Sequence, residues 1–134
     1  MVADGTAFFP GQNTGVGYAS GWSTTTSCDV TAVGYQCLHT GTTGISYSTG
    51  IGSGAFFNNL AQRQTGIGYS VGSQTTTGAD NTFGGFACGY SNTTGSQNAF
   101  WGAQAGRGPT NWVRCFSIGA DSNYSVFTDD LTNS

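Results

Sequence analysis

The chain has 134 residues, the length of a single domain, and only 7% of them are charged. Its net charge is −3 and it has no lysine, so we do not expect a basic surface for nucleic acid. No apolar run is long enough to cross a membrane, and 13% aromatic residues with a small net charge argue against disorder.

A short phrase that ends in glycine recurs seven times, at intervals of 16 to 18 residues. It begins as Thr14-Gly-Val-Gly17 and degrades to forms such as Phe116-Ser-Ile-Gly119. A fixed period of this size indicates small structural units that bury their apolar faces by stacking on one another. Positions are counted below from the last glycine of each phrase, taken as zero. These anchor glycines are Gly17, Gly34, Gly52, Gly68, Gly85, Gly102 and Gly119.

Three regions follow from the repeats. We expect a lead-in over residues 1–12, a repeat array over residues 13–119, and the end of the array over residues 120–134. The next phrase would open close to Ser134. We therefore expect the chain to be a segment of a longer protein, because an array of this kind needs a cap at its end.

Each repeat is predicted to begin with a short strand. Val or Ile at position −1 and an aromatic residue at +1 favour a strand of four to six residues. A glycine inside the strand indicates that another backbone comes close or that the chain bends. We expect the residues at −1 and +1 to form the thin apolar core.

The rest of each repeat is predicted to be a corner, a polar segment and a turn. Position +3 is mostly small, position +8 is mostly threonine, and Gly44, Gly78 and Gly95 stand at +10. No stretch keeps a helical period for more than two turns. The predicted fold is all-β, a repeat-built parallel β-solenoid or β-prism of about seven 17-residue coils, stacked about 4.8 Å apart.

A single coil of this width encloses little apolar volume. Association of several copies around an axis would bury faces lined by glycine and alanine. A closed cyclic arrangement would also avoid exposed strand edges. We therefore predict a homotrimer.

The best-formed stretch is Asn81-Thr-Phe-Gly-Gly-Phe-Ala-Cys-Gly-Tyr-Ser-Asn-Thr-Thr-Gly-Ser-Gln-Asn98. It resembles the repeats of trimeric phage tail fibres and bacterial trimeric surface fibres, which are loosely related to the heads of trimeric autotransporter adhesins. The resemblance covers roughly residues 13–119, and is eroded in the third repeat. It implies a trimer, a place outside the cell, on a cell surface or on a virion tail fibre, and a role in attachment.

Departures from a plain shaft repeat indicate the tip of such a fibre or a part near the tip. They include three tryptophans, Phe56-Phe57 and four cysteines. Position +5 has two interpretations. Its side chains either stack on one another as a seam between coils or chains, or form an exposed stripe that stacks on sugar rings. The column holds Trp22, His39, Phe57, Ser73, Tyr90, Arg107 and Tyr124.

The last full repeat offers a second cluster, since aromatic residues and arginine often anchor interfaces. Trp101 replaces a Val or Ile and is predicted to pack in the core, whereas Trp112 and Arg114 are open to either role. The predicted ligand-binding residues are Trp22, His39, Tyr90, Arg107, Trp112, Arg114 and Tyr124.

Neither metal nor catalytic chemistry is expected. Cys37 and Cys88 stand three coils apart, about 14 Å, which is too far for a disulfide. No Cys-x-x-Cys spacing occurs, so we expect free buried thiols, no metal and no cofactor. His39 is the only histidine, only Asp129-Asp130 are adjacent acids, and no Gly-x-Gly phrase opens a helix. We predict a protein that is not an enzyme.

The expected function is an attachment-fibre segment that binds a surface glycan or an envelope protein of a target cell, with no nucleic-acid partner and no membrane insertion. One alternative is a purely structural fibre shaft. A second alternative is an ice-binding solenoid, which the threonines at +8 and +9 suggest. Those threonines are adjacent, so a strand would direct them to opposite faces.

Overall fold

The computed structural model describes residues 11–23, 26–40, 44–108 and 110–122. Within these ranges the chain forms seven strands of three residues each and no helix. The strands are β1 (Thr14–Val16), β2 (Thr31–Val33), β3 (Thr49–Ile51), β4 (Thr65–Ile67), β5 (Thr82–Gly84), β6 (Ala99–Trp101) and β7 (Phe116–Ile118).

The strands form one parallel sheet in chain order. Each residue pairs with its counterpart one repeat further on, so that Thr14 lies beside Thr31 and Thr31 beside Thr49. The result is a β-solenoid of about six turns. The prediction of an all-β, repeat-built parallel solenoid is confirmed.

The anchor glycine explains why the strands are shorter than the predicted four to six residues. At every anchor the φ angle is positive, between +116° at Gly119 and +140° at Gly68, a region that other residues rarely adopt. A Cβ on Gly34 would lie 2.5 Å from the carbonyl oxygen of Gly52 in the next coil. Both expectations for this glycine, a bend and a close backbone approach, are confirmed.

Three other positions of the coil are left-handed and are occupied in several coils by residues other than glycine. Residues at −5, +2 and +4 have φ near +55° in one coil after another, as in Asp80 (+61°), Ala87 (+50°) and Phe56 (+51°). Backbone groups at these corners are paired between coils. The N–H of Phe56 donates to the carbonyl of Val71, and the N–H of Ala87 donates to the carbonyl of Tyr69. The corners therefore stack as regularly as the strands.

The predicted core was wrong. At −1, Val16, Ile51, Ile67 and Ile118 are 39–64% exposed, and the four aromatic residues at +1 are 53–56% exposed. Side chains of a strand alternate between its faces, so the middle residue, at −2, points inward and position −1 points outward. The bend at the anchor glycine then leaves position +1 outside as well. Trp101 stands at −1 and is likewise 44% exposed, which corrects its predicted place in the core.

The core is a column of single aromatic rings that enter from two different positions. Phe56 comes from +4, whereas Phe83 and Phe100 come from −2, and all three are fully buried. Glycine stands at the opposite position of the coil, because a Cβ on Gly89 would lie 2.8 Å from the Phe83 ring. The ring centroids of Phe83 and Phe100 are 5.2 Å apart with planes 7° apart. The small residues expected at +3, such as Cys37, Ala55 and Cys88, are buried against this column.

Buried amides at −4 connect the later coils. The side chain of Asn81 donates to the carbonyls of Gly78 (3.0 Å) and Gly95 (2.8 Å), and its oxygen accepts from the N–H of Asn98 (3.0 Å). The oxygen of Asn98 in turn accepts from the N–H of Cys115 at 2.9 Å. This ladder pairs polar groups that burial would otherwise leave without partners.

Candidate binding surface

The +5 column is not one continuous stripe. His39 and Phe57 are half-buried and stacked, with ring centroids 5.0 Å apart and planes 1° apart. Ser73 is buried and interrupts the column, and Tyr90 beyond it is half-buried. Trp22 and Arg107 are exposed, and Tyr124 lies outside the described residues. The stacked-seam interpretation therefore applies to His39 and Phe57, while Trp22 and Arg107 remain open to a partner.

His39 has the environment of a packing residue. Burial lowers the pKa of its imidazole below the usual value, which favours the neutral ring at pH 7. Its Nδ1 is buried without a hydrogen-bond partner in the part of the chain that the structure describes. We infer that His39 contributes by stacking on Phe57.

The residues of the predicted cluster in the last full repeat occupy separate positions around the coil. Trp112 is half-buried and packs edge-on against Phe100, with centroids 5.6 Å apart, so that it extends the core. Arg107 is exposed and donates to the side chain of Gln104. Arg114 is exposed at the left-handed −5 position. Trp112 was predicted to bind a ligand, but it already serves as part of the core.

The outer face of the sheet carries a row of exposed apolar side chains that the sequence analysis assigned to the core. We call it the apolar ridge; its members are Val16, Ile51, Ile67, Trp101 and Ile118. The row has no gap at Gly84, because the ring of Trp101 lies over that glycine. The alternation of side chains along each strand could have placed these residues outside, because the neighbours of an inward-pointing middle residue point outward.

A groove lies between the +1 and +5 columns of the third and fourth repeats. Its volume is about 320 Å³. We call it the aromatic groove; its aromatic walls are Tyr35 and Tyr69 from +1 and Phe57 and Tyr90 from +5. It exists because serine replaces an aromatic residue once in each column, at Ser53 and at Ser73. Neither serine was singled out from the sequence: Ser73 was listed as one member of the +5 column, and Ser53 was not assigned a role.

The four cysteines are free, as predicted, but the prediction that all four are buried is wrong for Cys28. Cys37, Cys88 and Cys115 are buried and Cys28 is half-buried. Burial raises the pKa of the Cys37 thiol to about 12 and that of Cys88 to about 11. The Cys88 thiol donates to the carbonyl of Phe100 at 3.2 Å. The thiols of Cys37 and Cys88 are therefore packing groups that stay protonated at neutral pH.

We expect the fold to lose stability at alkaline pH because of these two thiols. An unfolded thiol ionises near pH 9.0, whereas the folded Cys37 and Cys88 hold their protons to a higher pH. Their contribution is thus complete below pH 9 and is lost as pH rises through the folded pKa values, by roughly 1.4 kcal/mol per pH unit per thiol. The check is the melting temperature at about pH 7, 9 and 10.5. C37A/C88A should flatten this decline, since Ala55 and Ala105 occupy the same position; an equal decline in both proteins would contradict it.

No protein-family model matches the chain, and neither the curated proteins nor the solved structures gave a significant match. Across residues 11–23, 26–40, 44–108 and 110–122, no helix is long and apolar enough to span a membrane. No three His, Cys, Asp or Glu side chains come together there as a metal site.

Proposed function

We propose that the chain is a segment of a homotrimeric attachment fibre that works outside the cell or on a virion and binds a surface glycan or envelope protein of a target cell. The apolar ridge carries this proposal, with its side chains 39–64% exposed on one face of the sheet. The row is interrupted at Val33, which is half-buried, but five exposed apolar side chains still lie on one face of the sheet. Single exposed apolar residues are normal on a protein surface, whereas a patch of them is typical of an interface.

The chemistry of this face favours further copies of the same chain as the partner. The outward strand positions, −3 and −1, hold threonine, branched aliphatic and aromatic residues, with glycine or alanine at two places and no charge. Identical copies therefore meet there without repulsion between like charges. The ridge residues also repeat with the spacing of the coils, so each copy presents the same row to its neighbours. Closed cyclic symmetry is the common way to satisfy such a row in every subunit.

Substitutions on the ridge should weaken the trimer without unfolding the chain. In the double variant I51T/I67T the new residues keep a branched Cβ, which suits a strand. Each lost apolar contact weakens association by on the order of 1 kcal/mol, so we expect the trimer to dissociate at a roughly tenfold or higher concentration. The measurement is mass by light scattering over a dilution series.

The matched control is L60T. Leu60 is 47% exposed but stands at +8, where threonine is usual, and so lies off the ridge. L60T should keep the mass of the unchanged protein at every dilution. Equal dissociation of L60T and I51T/I67T, or no dissociation of I51T/I67T, would contradict an assembly along the ridge.

The attachment role is tested by binding of the assembled protein to intact target cells and to purified envelope polysaccharide. Saturable binding that soluble polysaccharide or protease treatment of the cells removes would support it. No binding to any of them would contradict it and favour the alternative of a purely structural shaft.

The ice-binding alternative is not favoured by the threonines that the structure describes at +8. The hydroxyl of Thr76 donates to the carbonyl of Thr93 at 3.0 Å, and the hydroxyl of Thr93 donates to the carbonyl of Thr110 at 3.1 Å. These donors are engaged between coils and are not available to order water on a flat face.

A further inference from the structure

The aromatic groove is built from two interrupted stacks of rings. Where the +1 column is complete, rings of adjacent coils lie face to face, with centroids 5.5 Å apart for Tyr18 and Tyr35 and 5.4 Å apart for Tyr69 and Phe86. Nothing fits between rings at that distance. At Ser53 a ring is missing, so Tyr35 and Tyr69 stand two coils apart, about 10 Å at the usual strand spacing.

A gap of this width accepts one ring-shaped group. Carbon atoms in contact lie about 3.5 to 4.0 Å apart, so two ring faces about 10 Å apart leave room for a puckered six-membered ring between them. The offset gap at Ser73 opens the same space between Phe57 and Tyr90 in the other column. The groove therefore crosses the coils diagonally, and has room for a short chain of such rings.

The polar groups of the groove suit hydroxyl groups. Its lining includes the serines Ser53 and Ser70 and the half-buried amide residues Gln36, Asn58 and Gln74. These three amides make no hydrogen bond to any residue that the structure describes. An amide offers two donors and an acceptor, which is what neighbouring hydroxyls of a sugar need.

The groove has no charged side chain, which favours an uncharged ligand. None of the groove residues is charged, so nothing in it would compensate the desolvation of a carboxylate, sulfate or phosphate. None of the three arginines lines the groove: Arg63 is paired with the carboxylate of Asp80, and Arg107 and Arg114 belong to later coils.

The groove and the apolar ridge share no residue. The groove lies on the side of the anchor glycine that runs from +1 to +5, whereas the apolar ridge lies on the strand side, at −1. We therefore expect assembly along the ridge to leave the groove accessible to a ligand.

We propose that the aromatic groove binds an uncharged oligosaccharide, with one sugar ring held between Tyr35 and Tyr69 and its hydroxyls bonded to the serines and amides around it. This proposal rests on the attachment role proposed above and assigns it a site and a ligand class. The proposed site differs from the sugar-binding stripe predicted at +5. Of that column, the groove includes only Tyr90 and the packing residues Phe57 and Ser73.

The test fills the gap with the residue that the column uses elsewhere. S53Y restores a ring at +1 and should remove at least nine-tenths of the binding to a panel of neutral di- to tetrasaccharides of glucose, galactose and mannose. Y69A, which removes a wall, should weaken the same binding at least tenfold. A103Y is the matched control, because Ala103 is an exposed +1 residue outside the groove, and it should bind as the unchanged protein does.

The outcomes separate this proposal from the function on which it rests. If S53Y and Y69A keep the mass and melting temperature of the unchanged protein and still bind neutral sugars, the groove is not the site, while the attachment role stands. If the unchanged protein binds sialylated or sulfated oligosaccharides of the same length more tightly than this neutral panel, the assignment to uncharged sugars is overturned. If the unchanged protein binds no saccharide but still binds target cells through a protein, the groove proposal fails alone; if it binds neither, both fail.

Discussion

The variant G85A should lower the melting temperature of the array by about 15 °C or more. Gly85 has a φ angle of +127°, and a Cβ on it would lie 2.5 Å from the carbonyl oxygen of Gly102. An L-residue in a left-handed conformation is strained by about 1–2 kcal/mol, and the contact also forces apart two coils that a short hydrogen bond from Gly102 to Gly84 joins at 2.8 Å. We expect a total loss of about 4 kcal/mol or more, a large share of the stability of a small domain.

The matched control for this variant is G54A. Gly54 also has a positive φ, +65°, but the nearest atom to an added Cβ is the hydroxyl of Ser70 at 3.4 Å. Alanine already occupies the same position of other coils, at Ala19 and Ala87, with φ of +52° and +50°. G54A should change the melting temperature, followed by circular dichroism, by less than about 5 °C. Similar melting temperatures for G85A and G54A would contradict the close approach of coils at the anchor glycines.

The variant F83A should cost about 3–5 kcal/mol of unfolding free energy. The Phe83 ring is fully buried, 6.0 Å from Phe56 and 5.2 Å from Phe100 between centroids. The facing position of its own coil is Gly89, whose lack of a side chain leaves nothing to fill the cavity. The fold cannot close around the loss, because the backbone ladder holds the coils at a fixed spacing.

Urea unfolding of F83A should be compared with that of F86A. Phe86 is 54% exposed at +1, where Ala103 and Ala120 stand in later coils. We expect F86A to lose less than about 1 kcal/mol. If F86A lost as much as F83A, the aromatic residues at +1 would belong to the core after all.

The period of the anchor glycines was enough to predict the parallel sheet and its register. Thr14, Thr31 and Thr49 pair in the structure because the same phrase returns at nearly the same interval. The direction of the side chains was not predicted correctly. Apolar residues at −1 and +1 were assigned to the core. Residues in a core are mostly apolar, but many apolar residues also lie on the surface, so apolar character alone does not show that a residue is buried.

The true core could not be recognised column by column. Gly66 at −2 has no side chain to contribute to a core. Glycine is nevertheless required at this position, because the ring of Phe56, from +4 of the preceding coil, fills the space that a Cβ would occupy. The next coil reverses the arrangement, with Phe83 at −2 and Gly89 at +4. Only the fit between neighbouring coils shows which column supplies the ring.

The left-handed corners and the aromatic groove were not predicted from the sequence, for related reasons. Left-handed residues such as Arg63 and Asp80 give no local signal, because glycine is not used there. Ser53 and Ser73 are 20 residues apart and look like separate lapses in two columns. They form one groove only because the two columns lie side by side on the same face of the solenoid.

The most direct test of the proposed fibre is the mass of the unchanged protein in solution, measured by light scattering behind a sizing column. A mass of about three times the 13.7 kDa of the chain, constant on dilution, is the expected result, because the apolar ridge of each copy would then be covered by its neighbours. A mass of 13.7 kDa at every concentration, with the ridge exposed to water, would contradict the trimeric assembly and the fibre built on it.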